Sequence, residues 1–538
     1  MTVVLRLIIA PVLLITMVMG WSQTNPTKIP KPDFSQYKRI HQKALNLIRT
    51  DQAGVAVQFL NKVSQNLPMD AETHYMLAVA YCELGEIKKA ESSVERALEL
   101  GLQVGRIIGG THNGLNAIRK RPLIQRLLSE NGKYPVHGPM LANLSGTSAV
   151  IWLRTAGPSQ VSVEANTDPP ILSDRVEAST LSKQENDYVA KVILKGLKPQ
   201  TTYQYVVSID GQKNISPKQR FTTFNRVGSA GDFRLAFGGG AGFVPEHEYV
   251  WNTIADTKPQ ALFQLGDNVY IDNTEVMDMH HYCYYRRQSR LEYRALVSGV
   301  SVFSIWDDHD FGLNDCSGGP DIETPKWKRP TYDIFRNNWA NPAYGGGDKQ
   351  PGIWWDTYIN DVHFICIDGR YYRTNPKKTK GKLSMLGPVQ KNWLLNTIKN
   401  SKGTFKVLVS PVPWVFKAKG DSKDTWNGFK DERNEIFQFL SENNIKGVLL
   451  MSADRHRSDL WKIERSNDYP LYEFNSSRLT NQHVHKTMDE AIYSYNAKQS
   501  FGTVDFDTDA GDPNATYSIN SIDGEQIFKF TIKRSQLE

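Results

Sequence analysis

The feature that most constrains this chain is a series of short apolar runs in its second half, each ending in a carboxylate. Residues 261–265 lead into Gly266-Asp267-Asn268-Val269-Tyr270, 302–306 into Asp307-Asp308-His309-Asp310, 363–367 into Asp368-Gly369-Arg370, and 448–452 into Asp454-Arg455-His456. These runs, with others at 233–237 and 405–409, alternate with amphipathic stretches at 246–257 and 429–442, which predicts a layered α/β sheet. In such sheets the working side chains sit just past the strand C-termini. A lone Asp there is ordinarily a helix cap. Four acidic strand ends, two with a histidine close behind, repel one another unless cations neutralise them, so the pattern predicts a metal cluster with oxygen and imidazole ligands.

Two other patterns precede it. Aligning 37–70 with 71–104 places Ala44 over Ala78, Ala56 over Ala90, Leu60 over Val94 and Val63 over Ala97. Small residues recur where antiparallel helices must approach closely, and the 34-residue period resembles tetratricopeptide repeats over 34–130, with 105–130 capping the stack. Such a prefix is either a groove for a protein partner or a helical layer packed on its own protein. From Val136 the period changes to two, at 149–153, 161–163 and 189–194, as expected of a small all-β sandwich over 134–225. Residues 197–205 resemble the tyrosine corner of fibronectin type III domains, where a Tyr hydroxyl bonds upstream backbone. The expected architecture is therefore multidomain: an α-helical repeat prefix, a small all-β sandwich and a large layered α/β domain over 232–538.

The N-terminus has the order of a secretory signal. Arg6 precedes an apolar run at 7–19, followed by Gly20, Ser22 and Gln23, so residues 1–23 are expected to be cleaved and the mature protein to be secreted or periplasmic with no stable membrane span. The 64 basic and 57 acidic residues leave a net charge of +7, too even for specific nucleic-acid binding. Four cysteines without a CxxC pair exclude a disulfide framework and zinc ribbons.

The carboxylate motifs, with Tyr372-Arg373, Leu386-Gly387, Trp426-Asn427-Gly428-Phe429 and Asn475-Ser476-Ser477, resemble the alkaline phosphatase D (PhoD-like) family of calcineurin-like metallophosphatases along about 300 residues. The resemblance implies hydrolysis of a small anionic phosphate ester by in-line attack of metal-bound hydroxide. It implies a metal set of Asp267, Tyr270, Asp308, Asp454 and His456, with His309 serving the leaving group, Arg370 clamping a phosphate oxygen and Asn268 also contacting substrate. Two or more metal ions are expected, iron and calcium by resemblance, with zinc, manganese or magnesium as alternatives.

One departure from that family stands out. Where it commonly has a Ser-Cys pair whose thiolate binds iron, this chain reads Gly238-Gly239-Gly240-Ala241-Gly242. Glycine offers no donor, which leaves two further readings open: a catalytically weak phosphatase-like scaffold whose repeats bind a partner, or a hydrolase of another anionic ester. Tyr284, Tyr285, Trp354 and Trp355 are read as core rather than as a stacking platform.

Overall fold

The computed structural model describes residues 29–538, so the expected signal at 1–23 lies outside the described residues. Among the described residues no helix is long and apolar enough to cross a membrane.

The chain begins with two helical hairpins, α1 (Tyr37–Arg49) with α2 (Ala53–Asn66) and α3 (Ala71–Glu83) with α4 (Ile87–Glu99). The hairpin starts at 37 and 71 are 34 residues apart, as are the second-helix starts at 53 and 87. Ala44, Ala56, Ala78, Ala90 and Ala97 are fully buried, the small residues that let helices approach. Asp70 caps α3 by accepting from the Thr73 amide at 3.0 Å, satisfying one of the unpaired N–H groups of the first turn. A shorter helix, Pro122–Asn131, follows and buries Ile124 and Leu127.

Two large sheets make the body. In a nine-stranded sheet the order is Gln526–Lys533, Asn514–Ser521, Ser500–Asp507, Asp232–Gly238, Ala261–Leu265, Ser301–Ile305, His137–Ala142, Ser148–Arg154 and Val189–Lys195. A seven-stranded sheet runs Trp355–Ile359, Val362–Cys366, Phe405–Val409, Val448–Ser452, Asp468–Asn475, Ser458–Arg465 and Tyr493–Tyr495. The two meet through aromatic side chains: Phe263 lies 4.8 Å from Phe364 and Phe233 lies 6.4 Å from it, ring centre to ring centre. The central strands of both sheets are buried end to end, as parallel strands covered on both faces must be.

The segment expected to form a sandwich, 134–225, contributes to two sheets. Its second sheet exists, built on Val176–Ser182, Ser159–Thr167 and Thr202–Ile209, and the Tyr203 hydroxyl accepts from the Lys198 amide at 3.0 Å as a tyrosine corner would. Its first sheet, however, is continuous with the nine-stranded sheet, because His137–Ala142 pairs in parallel with Ser301–Ile305. Polar groups seal the junction. The fully buried Arg154 donates to Gln288 Oε1 at 2.9 Å and Asn338 Oδ1 at 3.1 Å, and Tyr205 donates to the Ser298 carbonyl at 2.7 Å. Hydrophobic alternation reports which face of a strand is buried but not which sheet the strand joins, so this continuity is invisible in the sequence.

The helical prefix packs on its own protein. Arg49 donates to Asp278 Oδ2 at 2.6 Å, Arg286 donates to the Lys38 carbonyl at 3.3 Å, the Gln42 amide bonds the Tyr270 carbonyl, and Tyr37 stacks on Phe243 with ring centres 6.2 Å apart. A chain lacking residues 24–130 is therefore expected to expose Phe243, Tyr282 and Cys283, which are buried in the intact fold, and to melt about 10 °C or more lower, followed by circular dichroism. An unchanged melting temperature would show the prefix to be an appendage.

Candidate metal centre

Strand register sets the site. Ala261–Leu265 pairs in parallel with Ser301–Ile305 from Ala261↔Ser301 to Leu265↔Ile305, so the two acidic loops leave the sheet side by side. Gly266 is required where they pass: it has φ +97°, and a Cβ there would meet Asp307 Cβ at 2.5 Å. The seven-stranded sheet supplies the facing wall through Val448–Ser452, after which Asp454 and His456 follow. Asp267, Asp454 and His456 all adopt the left-handed backbone conformation, with φ of 53°, 65° and 47°. Non-glycine residues are held there only when the surroundings over-determine them, a condition common at functional sites.

The side chains converge. Ligand atoms of Asp267, Asp308 and His309 lie within 4.8 Å of one another, and so do those of Asp308, Asp315 and Asp424. The Tyr270 hydroxyl donates to Asp267 Oδ2 at 2.9 Å and lies 3.3 Å from His456 Nε2. His309 Nδ1 is 2.5 Å from Asp272 Oδ1, with its ring centre 4.2 Å from that of Tyr270. Asp267 Oδ1 is buried and has no hydrogen-bond partner among the described residues.

Electrostatics follow from this crowding. Burial pushes Asp267 well above the usual carboxylate range, with the like charges of Asp308, Asp310 and Asp454 adding to it against an opposing pull from His309. Tyr270 is raised by burial and by Asp267. Burial disfavours a charged His309, yet Asp308, Asp267 and Asp272 outweigh it and push the imidazole up to about 10. Burial opposes ionisation of Asp454, but Lys419 and Arg455 hold it well below the usual range. The donors are carboxylate and phenol oxygens with imidazole nitrogen, and one carboxylate oxygen is left unpartnered. That set fits a hard cation. Around it opens a cavity of about 530 Å³, lined also by Gln36, Lys38, Arg39, Lys419, His483 and His485.

The sequence profile of the PhoD-like phosphatases matches residues 235–517, more than half of the 538 residues. The chain belongs to the PhoD-like phosphatase family. A domain of unknown function, DUF7800, matches 134–226, the segment expected to be a sandwich. Alkaline phosphatase D of Bacillus subtilis (strain 168) is 24% identical over 364 residues, which cover 55% of this chain and 60% of that protein. The chain therefore spans less than two thirds of that relative. In structure it is similar to PhoD, with a TM-score of 0.62 at 15% identity over 74% of this chain and 90% of that one. It is also similar to purple acid phosphatase PPD1 from yellow lupin (Lupinus luteus) seeds, with a TM-score of 0.55 at 13% identity over 74% and 75%.

Within this PhoD-like fold the expected site residues divide. Asp267, Tyr270, Asp308, His309, Asp454 and His456 all line the cavity. Arg370 and Asn268 do not. Arg370 has no exposed surface: its Nε donates to Asp307 Oδ1 at 2.6 Å and its Nη1 to Asp424 Oδ1 at 2.8 Å. It stands behind the carboxylates as their counter-ion, with its guanidinium directed to them rather than to the cavity. Asn268 directs its amide to the Ile305 carbonyl at 2.8 Å and to Ser304 Oγ at 3.2 Å, tying two strand ends together. Tyr284, Tyr285, Trp354 and Trp355 are buried core.

Several cavity residues escaped the sequence. His483-Val484-His485 was readable as a His-x-His pair, with Nε2 atoms 3.0 Å apart, and Asp272, which backs His309 rather than lining the cavity, as a second acid two residues after Tyr270. Lys419, Asn481 and the α1 residues carry no signal, since only the fold brings them here. Replacing Arg370 by Met is expected to cost about 3–5 kcal/mol, because Asp307 would be left buried without its cation while Asp424 keeps Arg373 and Lys419. Urea unfolding measures it, and a loss below about 1 kcal/mol would refute the counter-ion role.

Proposed function

We propose that this protein is a metal-dependent phosphoric ester hydrolase, exported by the segment at 1–23. The observation that carries the reading is the unpartnered Asp267 oxygen within a buried cluster of Asp308 and His309, faced by Tyr270, Asp454 and His456. Bound there, metal ions would neutralise the phosphoryl oxygens of a substrate and lower the pKa of water.

The chain's own residues divide the remaining work. Asp267, Tyr270, Asp308, Asp454 and His456 would hold the cations. His309, oriented through Nδ1 by Asp272, is placed to give a proton to the departing alkoxide. Asp307 and Asp424 are occupied by Arg370, so they shape the site from behind. Lys419, 3.1 Å from Asp424 Oδ2 and 4.0 Å from Asp454 Oδ2, offers positive charge at the opposite wall. A scaffold without catalysis would leave the strained backbone of Asp454 and His456 and the unpartnered Asp267 oxygen without a purpose.

The test is elemental analysis of the purified protein combined with hydrolysis of an aryl phosphate monoester and diester. Asp267→Asn and His456→Ala are expected to lose bound metal and activity together. His309→Ala should keep metal while turnover of an alkyl ester such as glycerol 2-phosphate falls about 10²-fold or more, with a smaller loss on the aryl esters. Normal metal content and normal rates in the first two would overturn the assignment, and the relative rates on the two esters would define the substrate.

A further inference from the structure

The glycine run that replaces the expected Ser-Cys pair has a structural explanation, and it points to the helical prefix. A Cβ on Gly242 would meet Asn481 Cγ at 3.2 Å and Lys38 Cδ at 3.3 Å. On Gly240, with φ +73°, it would meet Ser477 Oγ at 2.9 Å. The space beside Gly242 is taken by Lys38 of α1 and by Asn481, and that beside Gly240 by Ser477 and Arg478.

Lys38 enters from α1 and is buried there. Its Nζ donates to Asn481 Oδ1 at 2.9 Å and lies 3.9 Å from the centre of the Tyr270 ring, a cation against the face of an aromatic ligand. Asn481 in turn hydrogen-bonds the Tyr270 hydroxyl through its amide. Next in sequence, Arg39 pairs with Asp272 Oδ2 at 3.0 Å, and Asp272 holds His309 Nδ1 with its other oxygen. Gln42, one turn further along α1, bonds the Tyr270 carbonyl. Spacing of 38, 39 and 42 puts all three side chains on one side of the helix. Lys38 and Arg39, with Gln36, also line the cavity.

We propose that α1 is one wall of the catalytic cavity, with Lys38 as a substrate-binding cation for the phosphoryl group and Arg39 as a positioning residue that holds Asp272 on His309. The inference rests on the phosphate-ester reading above. It supplies the cationic contact that Arg370, enclosed behind the carboxylates, does not make. Lys38 lines the cavity and has one donor committed to Asn481, which leaves donors for a phosphoryl oxygen. Arg39 neutralises the far oxygen of Asp272, and the His309 ring is thereby kept in one orientation.

The experiment uses full-length, metal-loaded protein with Lys38→Met, Arg39→Ala, Arg39→Lys and the control Arg49→Ala, which cuts a prefix contact outside the cavity. Substrates are p-nitrophenyl phosphate and glycerol 2-phosphate, and inorganic phosphate binding is measured by calorimetry. Lys38→Met is expected to raise KM for both esters and the Kd for phosphate about tenfold or more, with metal content and kcat little changed. Arg39→Ala should lower kcat on glycerol 2-phosphate about tenfold more than on p-nitrophenyl phosphate, because only the poor leaving group needs the His309 proton, and Arg39→Lys should restore part of it. Arg49→Ala should match the wild type. Wild-type phosphate affinity in Lys38→Met, or equal losses on both esters in Arg39→Ala, overturns this inference alone. A wild type inert toward both esters overturns the hydrolase reading itself.

Discussion

The structure depends on how a dense set of buried carboxylates is kept from repelling itself apart. Asp267, Asp307, Asp308, Asp310 and Asp454 all lie at the C-terminal rim of two facing sheets and all are nearly inaccessible. Leaving such groups charged without partners would cost several kcal/mol each. The protein divides the burden. Arg370 sits between Asp307 and Asp424, Asp310 accepts the amides of Asn268 and Val269, and Lys419 with Arg455 holds Asp454. What remains is concentrated on Asp267, Asp308 and His309. Compensation behind the rim is thus what leaves uncompensated charge in front of it, where a cation would be useful.

The same division explains the backbone. Loops at 266–272 and 453–456 turn sharply after their strands and hold Asp267, Asp454 and His456 at positive φ, a conformation that costs about 1–3 kcal/mol per residue. Hydrogen bonds over-determine it: the Asp267 carbonyl accepts from the Ala241 amide at 2.8 Å, and His456 Nδ1 lies 3.0 Å from the His483 carbonyl. Sheet register, glycine at 266 and these bonds together decide where the donor atoms point. Side-chain chemistry alone would not.

The α/β order and the acidic strand ends were legible because strand burial and strand-end chemistry are local properties. The runs at 261–265, 302–306 and 448–452 correspond to strands within a residue at each end. Two expected site residues lie away from the cavity for one reason. Arg370 and Asn268 lie in the right loops, but whether a side chain in such a loop faces the cavity or the core depends on what packs behind it. For Arg370 that is Asp307 from another strand and Asp424 from a loop 54 residues away. The joining of the 134–225 segment to the large sheet was hidden for a similar reason, since the pairing of Ala142 with Val302 joins segments 160 residues apart and leaves no trace in either pattern.

The helical prefix sharpens this contrast between local and distant information. Its alanine spacing is a statement about how α1 to α4 pack on each other, and it says nothing about the outward residues Lys38, Arg39 and Gln42. Those residues meet the loop 266–272 across more than 220 positions of sequence, where Gln42 reaches the carbonyl of Tyr270 and Arg39 the carboxylate of Asp272. Gly242 is the other half of that contact, since a side chain there would crowd Lys38 and Asn481. One glycine of the run that reads as the loss of a metal ligand therefore also makes room for α1. A rim closed from outside the sheets by a helix is held in place without extending the strained loops, whose geometry is already constrained by the carboxylates they carry.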